Sequence, residues 1–474
     1  MSNTAQKLSK SILFQFLNLF INGLLAIIIV PFILDSFGVE KYGVFELILS
    51  LMVIDTLLEF GVGSTVVKYT PNYKNKGGTF LNDFFWTFTF IKFLFSLCAL
   101  VIVIYVAYNF SSIFSEIPEE YHSQIKYSCF IFGFGLIIKN ILLVRGLTLK
   151  GLLSYDYAIS SDIIAKLIYF TILFILLETL NDFGLVELSF MMFVFTPVLT
   201  GILYTYWLRR SEPSISFWPK LPDKKILKET FGFMGGMTLI SLIAQVFIQG
   251  NRAILGIITN PVSVAVYGVA NKIRSPMLKI SDSILRPLIP ATSSIDFDNK
   301  RAIAKKITEI ARIESILIVG MATIIILITP DFLNIWLSGR LPQAALVIQV
   351  WLVPFLLPRA GVMLMFYYGQ GRTKASLVIN SINTAMSLAL ALVLVYKMDV
   401  LGFILGLSIS ISITSLIYLV YFCRYYDIKF STYFFQVVPI PFVSMVATAI
   451  FYFYIKQFYM PSNWIGIIII GALM

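Results

Sequence analysis

Apolar runs of about 20 residues recur along this chain from one end to the other, and no other feature restricts its fold so strongly. A bilayer core takes about 20 apolar residues to cross as a helix. Inside it every backbone N–H and C=O must find its partner within the protein, which leaves helices or closed barrels. Barrel strands read as short alternating segments, and none occur here. The chain is therefore expected to be an all-α, polytopic membrane protein. Composition agrees: 58% of the 474 residues are hydrophobic and 13% charged, against about a quarter charged in a soluble protein. The polar start "MSNTAQKLSK" runs straight into a full-length span, so a cleavable signal peptide is not expected.

Punctuation divides the runs into fourteen expected spans. The first six lie at about 11–34, 42–64, 80–108, 123–144, 157–178 and 185–208. The next six lie at about 231–258, 262–290, 307–329, 341–369, 374–396 and 400–422. Two more follow at about 433–456 and 463–474. The last is short for a span, since Trp464 to Met474 supplies eleven residues, and the natural chain is expected to continue past Met474.

Loop charge tests the count. With the N-terminus in the cytoplasm, the inside segments hold 21 of the 36 Lys and Arg, and the outside loops and their edges hold 5. That is the bias of the positive-inside rule, and a miscounted span would scramble it. The net charge of +11 thus reads as topology and calls for no nucleic acid partner. The longest loops, about 109–122 outside and 209–230 inside, are too short for an extramembrane domain. There is no P-loop, so ATP-driven pumping on this chain is excluded. One histidine, His122, and three cysteines in or beside apolar segments point to no metal site, no cofactor and no disulfide framework.

Two halves look related. "YGV" at 42–44 returns at 267–269; Gly151 after the fourth span matches Gly371 after the tenth; Gly184 matches Gly402. The offsets, 225, 220 and 218, predict a duplicated six-helix unit. Six is even, so both copies keep one orientation, related by an axis along the membrane normal. The expected division is 1–210 for an N-terminal six-helix lobe, 211–230 for a cytoplasmic linker, 231–424 for a C-terminal six-helix lobe and 425–474 for two extra helices.

Several stretches carry a family resemblance: "PFILDSFGVEKYGVFELILSL", "LLEFGVGSTVVKY", "RAILGIITNPVSVAVYGVANKI", "LRPLIPATS", "GQGRTKASLVINSINTAMSLALAL" and "VLGFILGLSIS". In order and spacing the chain resembles the polysaccharide transporters of the multidrug/oligosaccharidyl-lipid/polysaccharide exporter superfamily, the Wzx-type O-antigen flippases. The resemblance implies two pseudo-symmetric lobes around a central cavity, with the last two helices packed outside. It implies movement of undecaprenyl-diphosphate-linked oligosaccharide (an O-antigen, capsule or exopolysaccharide repeat unit) from the cytoplasmic to the outer leaflet. The setting implied is the bacterial inner membrane, among membrane lipids, for a monomer working beside glycosyltransferases and a polysaccharide polymerase. The chain departs from the family at "GNRAILG", where Asn251 and Arg252 stand in place of an expected acid.

Ten cations lie well inside the expected spans, more than three residues from either end: Lys92, Lys139, Lys166, Arg252, Lys272, Arg274, Lys279, Arg286, Arg312 and Arg359. Each costs about 2.5–3.5 kcal/mol near the bilayer centre on insertion scales, so each needs a reason. Four crowd the eighth span, where Lys272, Lys279 and Arg286 are seven apart and form one helical stripe. Asp282 is placed to pair with Lys279 or Arg286. A lipid diphosphate needs such cations, and the expected cargo-binding set is Arg252, Lys272, Lys279, Arg286 and Arg359. Snorkelling to a span end is the competing reading, favoured for Arg286 and more strongly still for Arg312 and Lys166. Asp55 and Glu59 share one face of the second span, and with Asp282 they are the expected gating or ion-coupling acids. They serve equally well as structural partners of Lys92 or Lys139 inside the first lobe. Pro31, Pro276 and Pro287 are expected bending points.

Two rival functions fit the same outline. A multidrug or metabolite antiporter exporting cations would want a net acidic interior, whereas the ten cations face five clear acids, Asp55, Glu59, Asp162, Asp282 and Glu314. A membrane polysaccharide polymerase would need a catalytic outside loop longer than any present. No enzymatic activity is expected.

Overall fold

The computed structural model describes residues 2–180, 183–216, 218–285, 300–357, 361–363, 373–458 and 466–467. Among these every regular element is helical. In chain order the helices are α1 (Ser2–Ser50), α2 (Met52–Leu57), α3 (Val62–Lys76), α4 (Gly78–Tyr108), α5 (Phe110–Ile113), α6 (His122–Gly151), α7 (Tyr155–Thr179) and α8 (Leu185–Phe190). Then come α9 (Thr196–Ser211), α10 (Lys224–Ile258), α11 (Pro261–Leu285), α12 (Lys300–Trp336), α13 (Gln343–Leu352), α14 (Thr373–Tyr425), α15 (Phe430–Val437) and α16 (Pro439–Phe458).

Among the described residues, eight stretches are long and apolar enough to cross a membrane. Two are double. Leu13–Leu57 takes in the first expected span and most of the second, and Val378–Tyr425 holds the eleventh and twelfth. The joints are Gly38 (φ 75°, ψ 171°) and Asp399 (φ 52°, ψ −138°). Both lie at positive φ, which glycine enters freely and other residues enter only under strain. The eight stretches thus carry ten of the expected spans. The seventh and eighth fall on α10 and α11. The tenth begins as α13 and continues as a 3-10 turn over Val353–Leu356. The fourteenth lies outside the described residues apart from 466–467.

The second span differs from expectation. It is not one helix over 42–64: α1 ends at Ser50, α2 ends at Leu57, and the chain breaks before α3 begins at Val62. Phe60 (φ 47°) and Gly61 (φ 62°) are both left-handed there. The broken backbone is satisfied locally, with Glu59 N–H on Thr56 O at 3.3 Å and Val62 N–H on Glu59 O at 3.1 Å.

The chain separates into two compact units, Met1–Ala265 and Val266–Met474. In the first, α6 is the central helix, packing on α3, α4, α7, α8 and α9. Phe84, Phe85, Phe88 and Trp86 of α4 fill the core with Tyr73 and Tyr204. Outward residues such as Val101 and Tyr105 are 67% and 66% exposed. A soluble domain would hide that surface; a membrane protein turns it to lipid.

The segment joining α9 to α10 is stapled to the ends of α3 and α4. Trp86 donates its indole N–H to Ser216 O at 3.0 Å, and Asn82 Oδ1 accepts Ser216 N–H at 2.9 Å. Thr87 Oγ1 accepts Asp223 N–H at 3.0 Å. Ion pairs Lys74–Glu212 (2.8 Å) and Lys220–Asp83 (2.7 Å) flank them. Asp223 then caps α10, accepting Lys225 N–H at 2.7 Å. One turn on, Tyr73 donates to Glu229 at 2.6 Å, with Lys76 at 3.4 Å. The hydrogen bond and the cation together hold the Glu229 carboxyl below its usual range.

In the second unit Tyr418, Phe422, Tyr426 and Tyr433 build a core across α14 and α15. After Asp399 the two halves of α14 pack closely, and a Cβ at Gly402 would strike the Leu394 carbonyl. On α12, Asp331 takes Lys456 at 2.9 Å and the Tyr452 hydroxyl at 2.6 Å, both from α16.

Two glycines of the sequence repeat therefore mark close approaches of backbone to backbone. Gly402 is one. Gly43 of "YGV" is the other, because a Cβ there would land on the Pro261 carbonyl at the start of α11. Gly43→Ala is expected to lower stability by about 1–3 kcal/mol, the usual cost of overpacking. Gly23→Ala, where a Cβ meets nothing within 4 Å, is the control. Thermal melting of both variants in detergent checks this, and equal melting would refute the contact.

Candidate functional site

The charges of the first unit come together in two places. At the end of α2, beside the break, Asp55 pairs with Lys139 of α6 at 2.7 Å and accepts from Asn140 Nδ2 at 2.8 Å. Lys92 of α4, 3% exposed, interacts electrostatically with Asp55, Glu59 and Lys139. Asp55 and Glu59 thus belong to one mixed-charge cluster with two lysines. The opposite charges lower one another's burial cost.

The second place is near the end of α10. Arg252 lies 3.2 Å from Glu46 of α1. Glu46 is 0% exposed and also accepts the Tyr42 hydroxyl at 2.7 Å. Sequence reading had not counted Glu46 among the intramembrane acids. The signal available was local: Tyr42 and Glu46 are four apart and share a helix face. The acid missing from "GNRAILG" is in effect supplied by another helix. Asn251, next to Arg252, is buried.

In the second unit α11 carries the cationic stripe. Lys272 is half-buried and Lys279 exposed, and both make contacts in the structure. Arg274, off the stripe, places its guanidinium 4.8 Å from the Trp351 ring centroid of α13, a cation–π contact. Ser281 donates to the buried Glu314 of α12 at 3.0 Å. Arg286, Arg359 and the side chain of Asp282 lie outside the described residues. Pro31 and Pro276 lie inside α1 and α11; Pro287 is outside the described set.

One further feature of the first unit was not legible in sequence. Between α8 and α9, Met191–Phe195 forms a wide π turn, a device frequent at functional sites. Pro197 follows; it has no N–H for the Phe193 carbonyl, and the turn widens there. A Cβ at Gly135 of α6 would meet that carbonyl. The turn borders a crevice of about 410 Å³ between α6, α7 and α9. Its walls are apolar except for Lys139, Asp162, Lys166, Thr196, Thr200 and Tyr204. Asp162 accepts the Tyr204 hydroxyl at 2.5 Å. Among the described residues no group of His, Cys, Asp and Glu could hold a metal ion. What these arrangements can do is hold and exchange charge within an apolar bundle.

The profile of a family described as polysaccharide biosynthesis protein matches residues 8–296. No curated protein matches the chain at a significant level. Among solved structures, the fold is similar to the lipid II flippase MurJ in an inward closed conformation, with a TM-score of 0.73 at 12% identity over 98% of this chain and 96% of that one. It is also similar to an inward-facing multidrug resistance MATE transporter of the MOP superfamily, with a TM-score of 0.66 at 16% identity over 85% and 94% of the two chains. A MOP superfamily transporter from Pyrococcus furiosus, described as having a binding pocket of reversed polarity, superposes at 0.56 and 16% identity over 89% and 94%.

The Asp55–Lys139 pair makes a direct test. Asp55→Asn leaves two lysines in an apolar bundle without their nearest carboxylate, and adding Lys139→Gln removes part of that excess charge. The single change should therefore destabilise more than the double one, with a coupling of about 1–3 kcal/mol. A double-mutant cycle by thermal melting checks this; additive effects would count against the pair.

Proposed function

The chain belongs to the polysaccharide biosynthesis protein family, and on that premise we propose that it is a flippase for lipid-diphosphate-linked oligosaccharide. The cargo is an O-antigen, capsule or exopolysaccharide repeat unit on undecaprenyl diphosphate, carried from the cytoplasmic to the outer leaflet of a bacterial inner membrane by alternating access. The chain acts as a monomer with its N-terminus inside, beside the polymerase and glycosyltransferases that make and use the cargo. In this reading 1–210 and 231–424 are the two lobes, 211–230 is their linker, and 425–474 adds two helices.

The observation that carries the proposal is the cationic stripe of α11 in a span-length helix of a chain of this family. Lys272 and Lys279, with Arg286 and Arg359, meet the diphosphate. Arg252 joins them by exchanging the Glu46 carboxylate for a phosphate oxygen, a swap that keeps its charge compensated. Asp55, Glu59 and Asp282 gate the path or couple an ion to it. The antiporter reading has MATE-like folds in its favour, but with Glu46 added, and charges within three residues of a span end left aside, six acids still face ten cations.

The test uses proteoliposomes loaded with undecaprenyl-diphosphate-linked oligosaccharide and an impermeant glycan-modifying enzyme outside. The wild-type chain should expose the glycan, and Lys272→Gln/Lys279→Gln should slow exposure at least about tenfold, the scale of one lost charge-assisted contact. Thermal melting establishes that the variant used is folded. Full transport by that folded variant would overturn the diphosphate assignment.

A further inference from the structure

Near the start of α12, Lys305, Glu309, Ile313 and Leu317 follow one another at four-residue spacing and so share one helix face. All four are exposed, Ile313 by 57% and Leu317 by 48%. Along this face the side chains turn from charged to apolar within a single turn, inside a helix whose Ala304–Trp336 portion is apolar enough to span. That is where water gives way to hydrocarbon.

A cavity of about 390 Å³ opens at this level. Lys305, Thr308, Glu309 and Arg312 line it from α12, and Asp427 and Gln436 from the turn after α14 and from α15. Asp427 sits at φ 57°, past the end of α14, where Ile428 N–H closes the cap on Cys423 O at 2.9 Å. Glycine would fill that left-handed position with less strain, so the cap does not itself call for a carboxylate. Among the described residues, Lys305, Glu309, Arg312 and Asp427 make no side-chain hydrogen bond or ion pair. Two cations and two carboxylates thus ring one cavity with their hydrogen-bonding capacity unspent.

We propose that this cavity binds the headgroup of a zwitterionic aminophospholipid of the phosphatidylethanolamine type. Lys305 and Arg312 take the phosphate. Glu309 and Asp427 take the primary ammonium, whose three N–H groups match two carboxylates. Gln436 is placed for an ester oxygen. The acyl chains run down the face marked by Ile313 and Leu317. A choline headgroup has no N–H to give the carboxylates, and an anionic headgroup brings its net negative charge against them.

The test is native mass spectrometry of the full chain purified in detergent, titrated with phosphatidylethanolamine, phosphatidylcholine and phosphatidylglycerol of the same acyl chains. Phosphatidylethanolamine should bind about tenfold tighter than either other lipid. In Glu309→Gln/Asp427→Asn that preference should shrink to about twofold or less, with phosphatidylglycerol gaining. Lys305→Gln/Arg312→Gln should weaken all three. Equal affinities on the wild-type chain, or an unchanged preference in the carboxylate variant, would overturn the proposal. Should the variants fail to fold, the wild-type chain decides alone: affinity must fall stepwise as the ammonium is methylated once, twice and three times, and a flat series overturns the site.

Discussion

A charge placed in an apolar helix must be answered by another group at its own depth, and much of this architecture follows from that requirement. Asp55 is answered by Lys139 and Asn140, Glu46 by Arg252 and Tyr42, Asp162 by Tyr204, and Asp331 by Lys456 and Tyr452. In each case at least one partner comes from a different helix. Lipid gives apolar helices little reason to prefer one neighbour over another, so these pairs specify which helices meet. Their net contribution is modest, about 0.6 kcal/mol for an average interhelical hydrogen bond. The cost of separating a buried pair is far larger, about 3–5 kcal/mol. They act as constraints on arrangement more than as sources of stability.

The irregular backbone obeys the same rule. The break at 58–61 adjoins Asp55 and Glu59, and the π turn at 191–195 adjoins the crevice that Lys139 and Asp162 line. Unwound backbone survives at membrane depth only where the protein itself satisfies it. Here it does so with short local bonds such as Thr65 Oγ1 on Gly61 O at 2.8 Å. Glycine has the complementary role at Gly43 and Gly402, where one backbone comes against another and a side chain would hold them apart.

The spans were legible because a run of 20 apolar residues has few alternatives, and the loop charges kept their count. The repeat markers were legible as glycines and prove to be contact points at Gly43 and Gly402. The break within the second span was not, because "LLEFGVG" reads as one more apolar stretch and Gly61 is an ordinary residue in a membrane helix. Glu46 escaped for a different reason. Its partner Arg252 is 206 residues away, and spacing along one helix carries no information about the register between two. The stripe Lys272–Lys279 was visible for the converse reason, since helical periodicity alone defines it. The π turn left only Pro197 as a trace, and proline marks kinks, caps and ends alike.

The pairing pattern also bears on the sign of the cargo. A carrier of cations needs carboxylates held ready, without a resident partner strong enough to compete. Among the described residues Glu46 and Asp55 each hold a cation, Asp162 holds a phenol, Glu314 holds a serine hydroxyl, and Glu59 lies in the field of Lys92. Bringing in a cationic cargo would mean displacing arginine or lysine from a buried acid and leaving that cation stranded at several kcal/mol. An anionic cargo reverses the balance, because a phosphate replaces a carboxylate at the same guanidinium or ammonium and the displaced acid is neutralised by a proton. In an interior where cations outnumber acids, that exchange is the less costly of the two.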